Sequence, residues 1–334
     1  MLDLSQRGCG GATLGLGLQQ WQQGWHIMVF SHILLPLDGS ENAELALVHA
    51  GRIARIFDSR ITLLQVLEGG SNGRTGSDSI DWRLRRAEAE RYLKNLAEDH
   101  RLAGAKVEVR LTEGRPSDRI SDCIRRNDVN LVVMSAWGAG GEAAFPYGGT
   151  AHKVLVSTGV SYLVVRGEIG QKESTSYRRI LVPLDGSQKA ELAAHVATAL
   201  DVDRQAKISL YHVVCEPIMP RRRPLTDIEA SLRDKLIECN RRVAGGYLEE
   251  LRDQFRGRHD IETRLDVATY PVQSIAAICR DEAPDLMIMT AHGGGELNGW
   301  SGESIMQSVL ATVSTPVLAL QDGVSVSGTV PNSS

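Results

Sequence analysis

The stretch ILLPLDGSENAELAL, starting at Ile33, returns as ILVPLDGSQKAELAA, starting at Ile180. A match that holds position by position over such a length is not chance. It constrains the fold more than any other feature of the chain. Each copy opens on a continuous apolar run broken by a proline near its end, Ile33 to Leu37 and Ile180 to Leu184. Continuous rather than alternating apolar character predicts a strand buried on both faces, as in a parallel sheet. Asp-Gly-Ser follows each run. Ser40 and Ser187 suit helix N-caps, because a side-chain oxygen there accepts from a free amide of the first turn. Ala43, Leu47, Ala50 and Ala54 then recur at helical spacing, as do Ala190, Ala193, Ala197 and Leu200.

The repeat continues to the end of each copy. RITLLQVLE from Arg60 and KISLYHVVC from Lys207 read as second strands, each followed by a variable loop and a long charged helix. Those helices cover roughly Asp81 to Leu102 and Thr226 to Gln254. KVEVRL from Lys106 and DIETRL from Asp260 are third strands, after which Pro116 and Pro271 open a helix. NLVVMS from Asn130 and DLMIMT from Asp285 are fourth strands that run into the glycine-rich loops AWGAGG and AHGGGE. A further helix and a last strand, SYLVV at Ser161 and PVLAL at Pro316, complete each copy. Alternating strands and helices predict an α/β chain with two tandem, doubly wound, five-stranded parallel sheets, separate from each other and covered by helices on both faces. Ligands of such sheets sit beyond the carboxyl ends of the strands, where the strand order reverses. If strands one and four are neighbours there, Asp-Gly-Ser and the glycine-rich loop share one crevice.

The expected boundaries are 30–167 and 179–321 for the two domains, joined by a polar linker over 168–178. Residues 1–29 keep no helical or strand period and are expected to form a flexible extension. Residues 322–334 are expected to be a flexible tail. Whether Met1 or Met28 is the natural start is left open. Among 334 residues, 42% are hydrophobic and the formal net charge is -4 with both signs interspersed. That balance argues against nucleic acid or an anionic membrane as a partner. Arg221, Arg222 and Arg223 read as a solvated loop. The five cysteines are irregularly spaced, without a C-x-x-C pair, which fits reduced thiols and a cytoplasmic protein. His49, His152, His195 and His212 are scattered and suggest no metal site. No catalytic residue is assigned, because no G-x4-G-K-[ST], H-E-x-x-H or G-x-S-x-G motif occurs.

At these motifs the sequence resembles the universal stress protein family in its tandem form, from about Phe30 to Leu320. The resemblance implies ATP or another adenine nucleotide as ligand. Asp38 and Asp185 match the aspartate that ends the family's first strand and helps hold adenosine. Val66 and Val213 fall where backbone atoms meet adenine. Gly114 matches a glycine that nucleotide-binding members commonly have after strand three; copy two has Thr269. The family's phosphate signature is G-x2-G-x9-G followed by Ser or Thr. Copy one spells it Ser135, Gly138, Gly148, Gly149, with Thr150 next door, and copy two spells it Thr290, Gly293, Glu303, Ser304. Trp137 and His292 occupy one equivalent loop position, where Trp137 would cap and narrow the site.

The substitutions rank the two crevices. A hydroxyl missing at Gly149 removes one hydrogen bond to a charged partner, worth roughly 1.5–3 kcal/mol. Glu303 would set a carboxylate against a phosphate, a repulsion of about 4 kcal/mol at ~4 Å and an effective dielectric of ~20. Nucleotide is therefore expected at Asp38, Val66, Gly114, Ser135, Gly138, Gly148, Gly149 and Thr150, with a weaker second site at Asp185, Val213, Thr290, Gly293 and Ser304. The expected function is a stress-response regulator without efficient catalysis, since no P-loop lysine or Mg²⁺ site is evident. A scaffold that binds no nucleotide, with Asp38 and Asp185 acting only as turn residues, is the alternative. A slow ATPase is a third. Single-domain members of the family often dimerise through their last strands, so the resemblance implies an intramolecular pseudo-dimer through Ser161–Val165 and Pro316–Leu320. A homodimer of whole chains and the identity of any protein partner stay open.

Overall fold

The computed structural model describes residues 30–68, 79–137, 148–166, 176–217, 224–291 and 302–321. The first half runs β1 (His32–Leu37), α1 (Glu41–Phe57), β2 (Arg60–Leu67), α2 (Ser79–Ala97), a 3-10 turn at His100–Leu102, β3 (Lys106–Glu113), α3 (Pro116–Arg126), β4 (Leu131–Ser135), α4 (Gly149–Thr158) and β5 (Ser161–Val165). The second half repeats it as β6 (Arg179–Leu184), α5 (Gln188–Leu200), β7 (Lys207–Cys215), α6 (Asp227–Gln254), β8 (Asp260–Ala268), α7 (Pro271–Glu282), β9 (Leu286–Thr290), α8 (Gly302–Thr312) and β10 (Val317–Leu320). The helix starts follow the local chemistry. Ser40 and Ser187 accept from the amides of Ala43 and Ala190, and Pro116 and Pro271 occupy first-turn positions. Thr226 and Glu229 close a capping box at the start of α6.

Strand order within each half is the same, with the first strand between the second and the fourth and the fifth strand outermost. Every pairing inside a half is parallel. The central strands are apolar because each face of the sheet carries a core, whereas the outermost strands β3 and β8 are largely polar. Ile33, Leu35 and Leu37 of β1 enter one core with α1 and α2, whereas Leu34 enters the other with α3 and α4. β4, β5, β9 and β10 divide in the same alternating way, as the two-residue period of a strand requires. Helices α5 and α6 lie on the first face, and α7 and α8 on the second.

The expectation of two separate sheets is corrected here. The ten strands form one sheet, in the order β3-β2-β1-β4-β5-β10-β9-β6-β7-β8. The joint is antiparallel, with Val317 opposite Val164, Leu318 opposite Leu163 and Ala319 opposite Tyr162. The expected contact between last strands is thus what merges the sheets. β5 and β10 are buried along their whole length. As free edges they would expose apolar side chains and unpaired backbone groups together, the combination that promotes uncontrolled association. Pairing them removes both edges. Ser161 Oγ accepts from the Gln321 amide at 3.1 Å, and Arg166 Nη1 donates to the Val313 carbonyl at 3.0 Å, so side chains also cross the joint. Because this joint alone is antiparallel, the carboxyl ends of the two halves point to opposite ends of the sheet.

A second contact links the halves. His49 on α1 shares a 2.9 Å hydrogen bond with the hydroxyl of Tyr177, just before β6, and the two rings stack with centroids 5.8 Å apart. The Arg52 guanidinium lies 5.0 Å from the centre of the Tyr177 ring. Burial, with Arg52 adding to it, pushes the His49 imidazole down to about 3. The folded protein therefore holds His49 neutral at a pH where the unfolded chain would protonate it.

Two outcomes follow from these contacts. Leu163 and Leu318 are fully buried. Leu163→Ala and Leu318→Ala should each cost about 2–5 kcal/mol and shift one common urea transition. Two resolved transitions, with only one moved, would show that the joint does not couple the halves. From pH 6.5 down toward 3, His49 binds a proton only when unfolded, so stability falls by ~1.36 kcal/mol per pH unit from this group. His49→Gln, which keeps a partner for the Tyr177 hydroxyl, should flatten that slope in denaturation curves at pH 5 and 7. An unchanged slope would mean that His49 is not held neutral.

Candidate functional site

β1 lies beside β4, with Ile33 opposite Leu131 and Leu34 opposite Val132, so the carboxyl ends of both strands border one crevice. β6 and β9 repeat the arrangement. In the first crevice Asp38 Oδ1 accepts from the Ser40 amide at 3.0 Å and the Ser40 hydroxyl at 2.6 Å. Asp185 does the same with Ser187, at 2.9 and 2.6 Å. Both aspartates therefore shape the turn that starts the next helix. Both are also exposed, so a ligand could meet them without a large desolvation cost. Gly39 and Gly186 turn the chain with φ of +83° and +82°, which side chains rarely adopt.

β2 pairs with β1 only as far as Gln65 but with β3 as far as Leu67. Val66, half-buried, thus lies on backbone that extends past the end of β1. Val213 sits equivalently on β7. The residue just before each valine separates the copies. In the second half His212 turns back, and its Nδ1 lies 2.8 Å from the Leu184 carbonyl at the end of β6. Burial lowers its imidazole pKa. In the first half the position holds Gln65, whose Oε1 is buried without a hydrogen-bond partner and whose Nε2 faces Gly39. A buried unsatisfied amide oxygen costs roughly 1–3 kcal/mol, which a ligand donor would recover. Gln65 was not singled out from sequence. The signal was the polar residue at one aligned position, Gln65 against His212, inside two apolar strands.

Gly114 has φ +135°, and its amide donates to the Leu67 carbonyl at 3.0 Å. A Cβ there would come within 2.7 Å of Arg119 Nε, and that nitrogen donates to the Glu113 carbonyl at 2.7 Å. The glycine makes room for Arg119 across the end of β3. Thr269 in the second half instead donates its hydroxyl to Glu216 at 2.8 Å. Ser135 ends β4 and its hydroxyl accepts from the Trp137 amide at 3.4 Å. Trp137, expected to cap the crevice, lies with its ring centre 4.8 Å from the Arg166 guanidinium, which itself reaches Val313 across the joint.

Gly148 is the N-cap of α4, and no side chain caps that helix. Its amide donates to the Ala136 carbonyl at 2.7 Å, and a Cβ there would lie 3.3 Å from that oxygen. Around Gly149 a Cβ would meet nothing within 4 Å, and Thr150 is exposed. Uncapped amides at a helix start favour anions. In the second half Thr290 ends β9, half-buried, and residues 303 and 304 fall in the first turn of α8. Gly138, Gly293 and His292 lie outside the described residues, as do the side chains of Glu303 and Ser304. The structure thus brings Asp38, Val66, Gly114, Ser135, Gly148, Gly149 and Thr150 to the carboxyl ends of neighbouring strands.

Each crevice also has a half-buried tyrosine beside acidic groups. Burial first, then Glu44 and Asp38, raise the phenol pKa of Tyr92; burial, Glu191 and Asp185 do so for Tyr247. Glu44 is balanced by Arg101 at 3.3 Å. Glu191 has no ion pair among the described residues, and burial raises its pKa. Among the described residues no group of three or more His, Cys, Asp or Glu could hold a metal ion, and no helix is long and apolar enough to cross a membrane.

Gly114→Ala should destabilise by about 1–3 kcal/mol, because its φ is strained for alanine and Arg119 must move. Thr269→Ala should cost less, since only an exposed hydrogen bond is lost. Equal melting temperatures for Gly114→Ala and the parent would show that the loop is not held as described.

The model of the universal stress protein family matches residues 30–166 and again 176–321. Two universal stress proteins of Methanocaldococcus jannaschii are similar to one repeat's length of the chain. One is 26% identical over 41% of this chain and 83% of its own length; the other is 27% identical over 44% and 97%. A universal stress protein from Archaeoglobus fulgidus has a similar fold at 20% identity, covering 88% of this chain and 98% of its own, with a TM-score of 0.59. One family match per half, together spanning most of the sequence, shows that this chain belongs to the universal stress protein family in a tandem, two-domain form.

Proposed function

We propose that the protein is a stress-response regulator that binds an adenine nucleotide in the first crevice without turning it over efficiently. One solved universal stress protein is in complex with cAMP, so an adenine nucleotide is within the family's range. The observation that carries the choice of crevice is the contrast at Gln65. Its buried Oε1 lacks a donor in the first crevice, while His212 has the Leu184 carbonyl in the second. Asp38, Gln65 and the backbone at Val66 would hold the nucleoside. Ser135, Gly138 and the start of α4 at Gly148, Gly149 and Thr150 would hold the phosphates. Gly114 would keep the end of β3 in shape beside them. Asp185, Val213, Thr290, Gly293 and Ser304 would form a weaker second site, disfavoured by Glu303.

The competing reading is a scaffold that binds no nucleotide. It is favoured by the turn geometry of Asp38 and Asp185, which is the same in both halves and explains both aspartates as helix starters. Calorimetry with ATP separates the two. Asp38→Ala and Gln65→Leu should each weaken binding roughly tenfold or more, with little change in melting temperature for Gln65→Leu. Gly149→Ser should tighten binding, because the space around Gly149 is open. Glu303→Gly should strengthen a second site. Loss of binding in Asp185→Ala, with Asp38→Ala intact, would move the site to the second half. No heat with the parent or any variant would leave the scaffold reading.

A further inference from the structure

The amino ends of the strands, away from the crevices, carry one frame of polar residues in both halves and fill it differently. In the first half His32 opens β1 and is buried. Its Nδ1 lies 2.6 Å from the Asn127 carbonyl and its Nε2 2.8 Å from the Thr62 hydroxyl. Two arginines close on the same asparagine. Arg60 Nη2 donates to its carbonyl at 3.0 Å, and Arg110 Nη1 donates to its Oδ1 at 2.6 Å.

The second half keeps the frame and removes the ring. Strand register sets Arg179 at the place of His32, Lys207 at that of Arg60, Ser209 at that of Thr62 and Arg264 at that of Arg110. Glu282 replaces Asn127, and each is followed by a left-handed residue, Asp128 at φ +50° and Ala283 at φ +44°. Arg179 is exposed, and a cavity of about 220 Å³ takes the place of the imidazole. Arg179, Lys207, Ser209, Arg264 and Glu282 line it. An apolar cavity of about 150 Å³ holds benzene, so this one admits a small organic molecule.

The charges of the lining identify its chemistry. Glu262 pairs with Lys207 at 2.8 Å and with Arg264 at 3.2 Å, and it accepts from the Ser209 hydroxyl at 2.6 Å. Glu282 pairs with Arg264. Two carboxylates therefore face three cations, and Arg179 has no ion pair among the described residues. Asp285, whose charge Arg179 feels, accepts from the amides of Arg178 and Arg179 and does not line the cavity. One positive charge in excess suits one singly charged anionic group. The paired donors of a guanidinium match the two oxygens of a carboxylate. Glu282 would repel a second negative charge, as on a phosphate, but would accept from a hydroxyl or ammonium.

We infer that the amino end of the second half is a separate ligand site, which takes a small hydroxy- or amino-carboxylate in the place that His32 fills in the first half. Arg179 and Lys207 hold the carboxylate, and Glu282 accepts from the hydroxyl or ammonium. The site lies at the opposite end of the strands from the second crevice, so it does not depend on nucleotide binding.

Amide NMR shifts of the full chain, titrated with lactate, test the inference. Resonances of Arg179, Lys207, Ser209 and Arg264 should move together at millimolar lactate, and those around Asp38 should not. Arg179→Ala should weaken the response roughly tenfold or more, because a charge-assisted pair is lost. Its melting temperature should be unchanged, since the side chain is exposed. Arg179→His should abolish the response by closing the cavity as His32 closes its counterpart. Propionate, which has no donor for Glu282, should bind more weakly than lactate. Lactate shifts that are absent, that fall elsewhere, or that persist at full affinity in Arg179→Ala overturn the inference. Propionate bound as tightly as lactate, or phosphate bound there in place of both, overturns the assigned ligand class.

Discussion

The backbone pairing of β5 with β10 is the contact on which the rest of the architecture depends. Each half is a parallel sheet whose last strand is apolar on both sides and lies at the edge. Such a strand needs a partner for its backbone and cover for its side chains. Its counterpart in the other half supplies both, and the two cores become continuous across the joint. The antiparallel sense of that single pairing has a further effect. It turns the two sets of strand ends away from each other, so the two crevices open at opposite ends of the molecule.

Side chains around the joint add to that pairing. Trp137 follows β4 in the first crevice and lies by Arg166, and Arg166 reaches the Val313 carbonyl of the second half. Trp137, two residues past the end of β4, is therefore linked through Arg166 to the second half. On one face of the sheet His49, Arg52 and Tyr177 make a second link, buried and held neutral at the imidazole. The halves thus meet along strand edges and through helix α1, which couples them mechanically more than a linker alone would.

The two copies share a template and differ where chemistry would matter. Asp38 and Asp185 have nearly the same hydrogen bonds, so the turn after the first strand was kept in both. Beside it the copies part. Gln65 leaves a buried acceptor open where His212 closes on its own backbone, and Gly114 admits Arg119 where Thr269 bonds Glu216.

The sequence by itself determined the repeat, the order of strands and helices, and the residues that start the helices. These are local properties: continuous apolar runs, Ser-Xaa-Xaa spacing and proline positions act on the chain within a few residues. It also determined that Asp-Gly-Ser and the start of α4 would share a crevice, once β1 and β4 are neighbours. Only the tertiary structure decided that the two sheets are one. SYLVV and PVLAL read as buried strands in either case, and nothing in their side chains states which backbone will pair with an edge. The same holds for Gln65, whose open acceptor exists only because β2 outruns β1, and for Gly114, whose glycine answers to the side chain of Arg119.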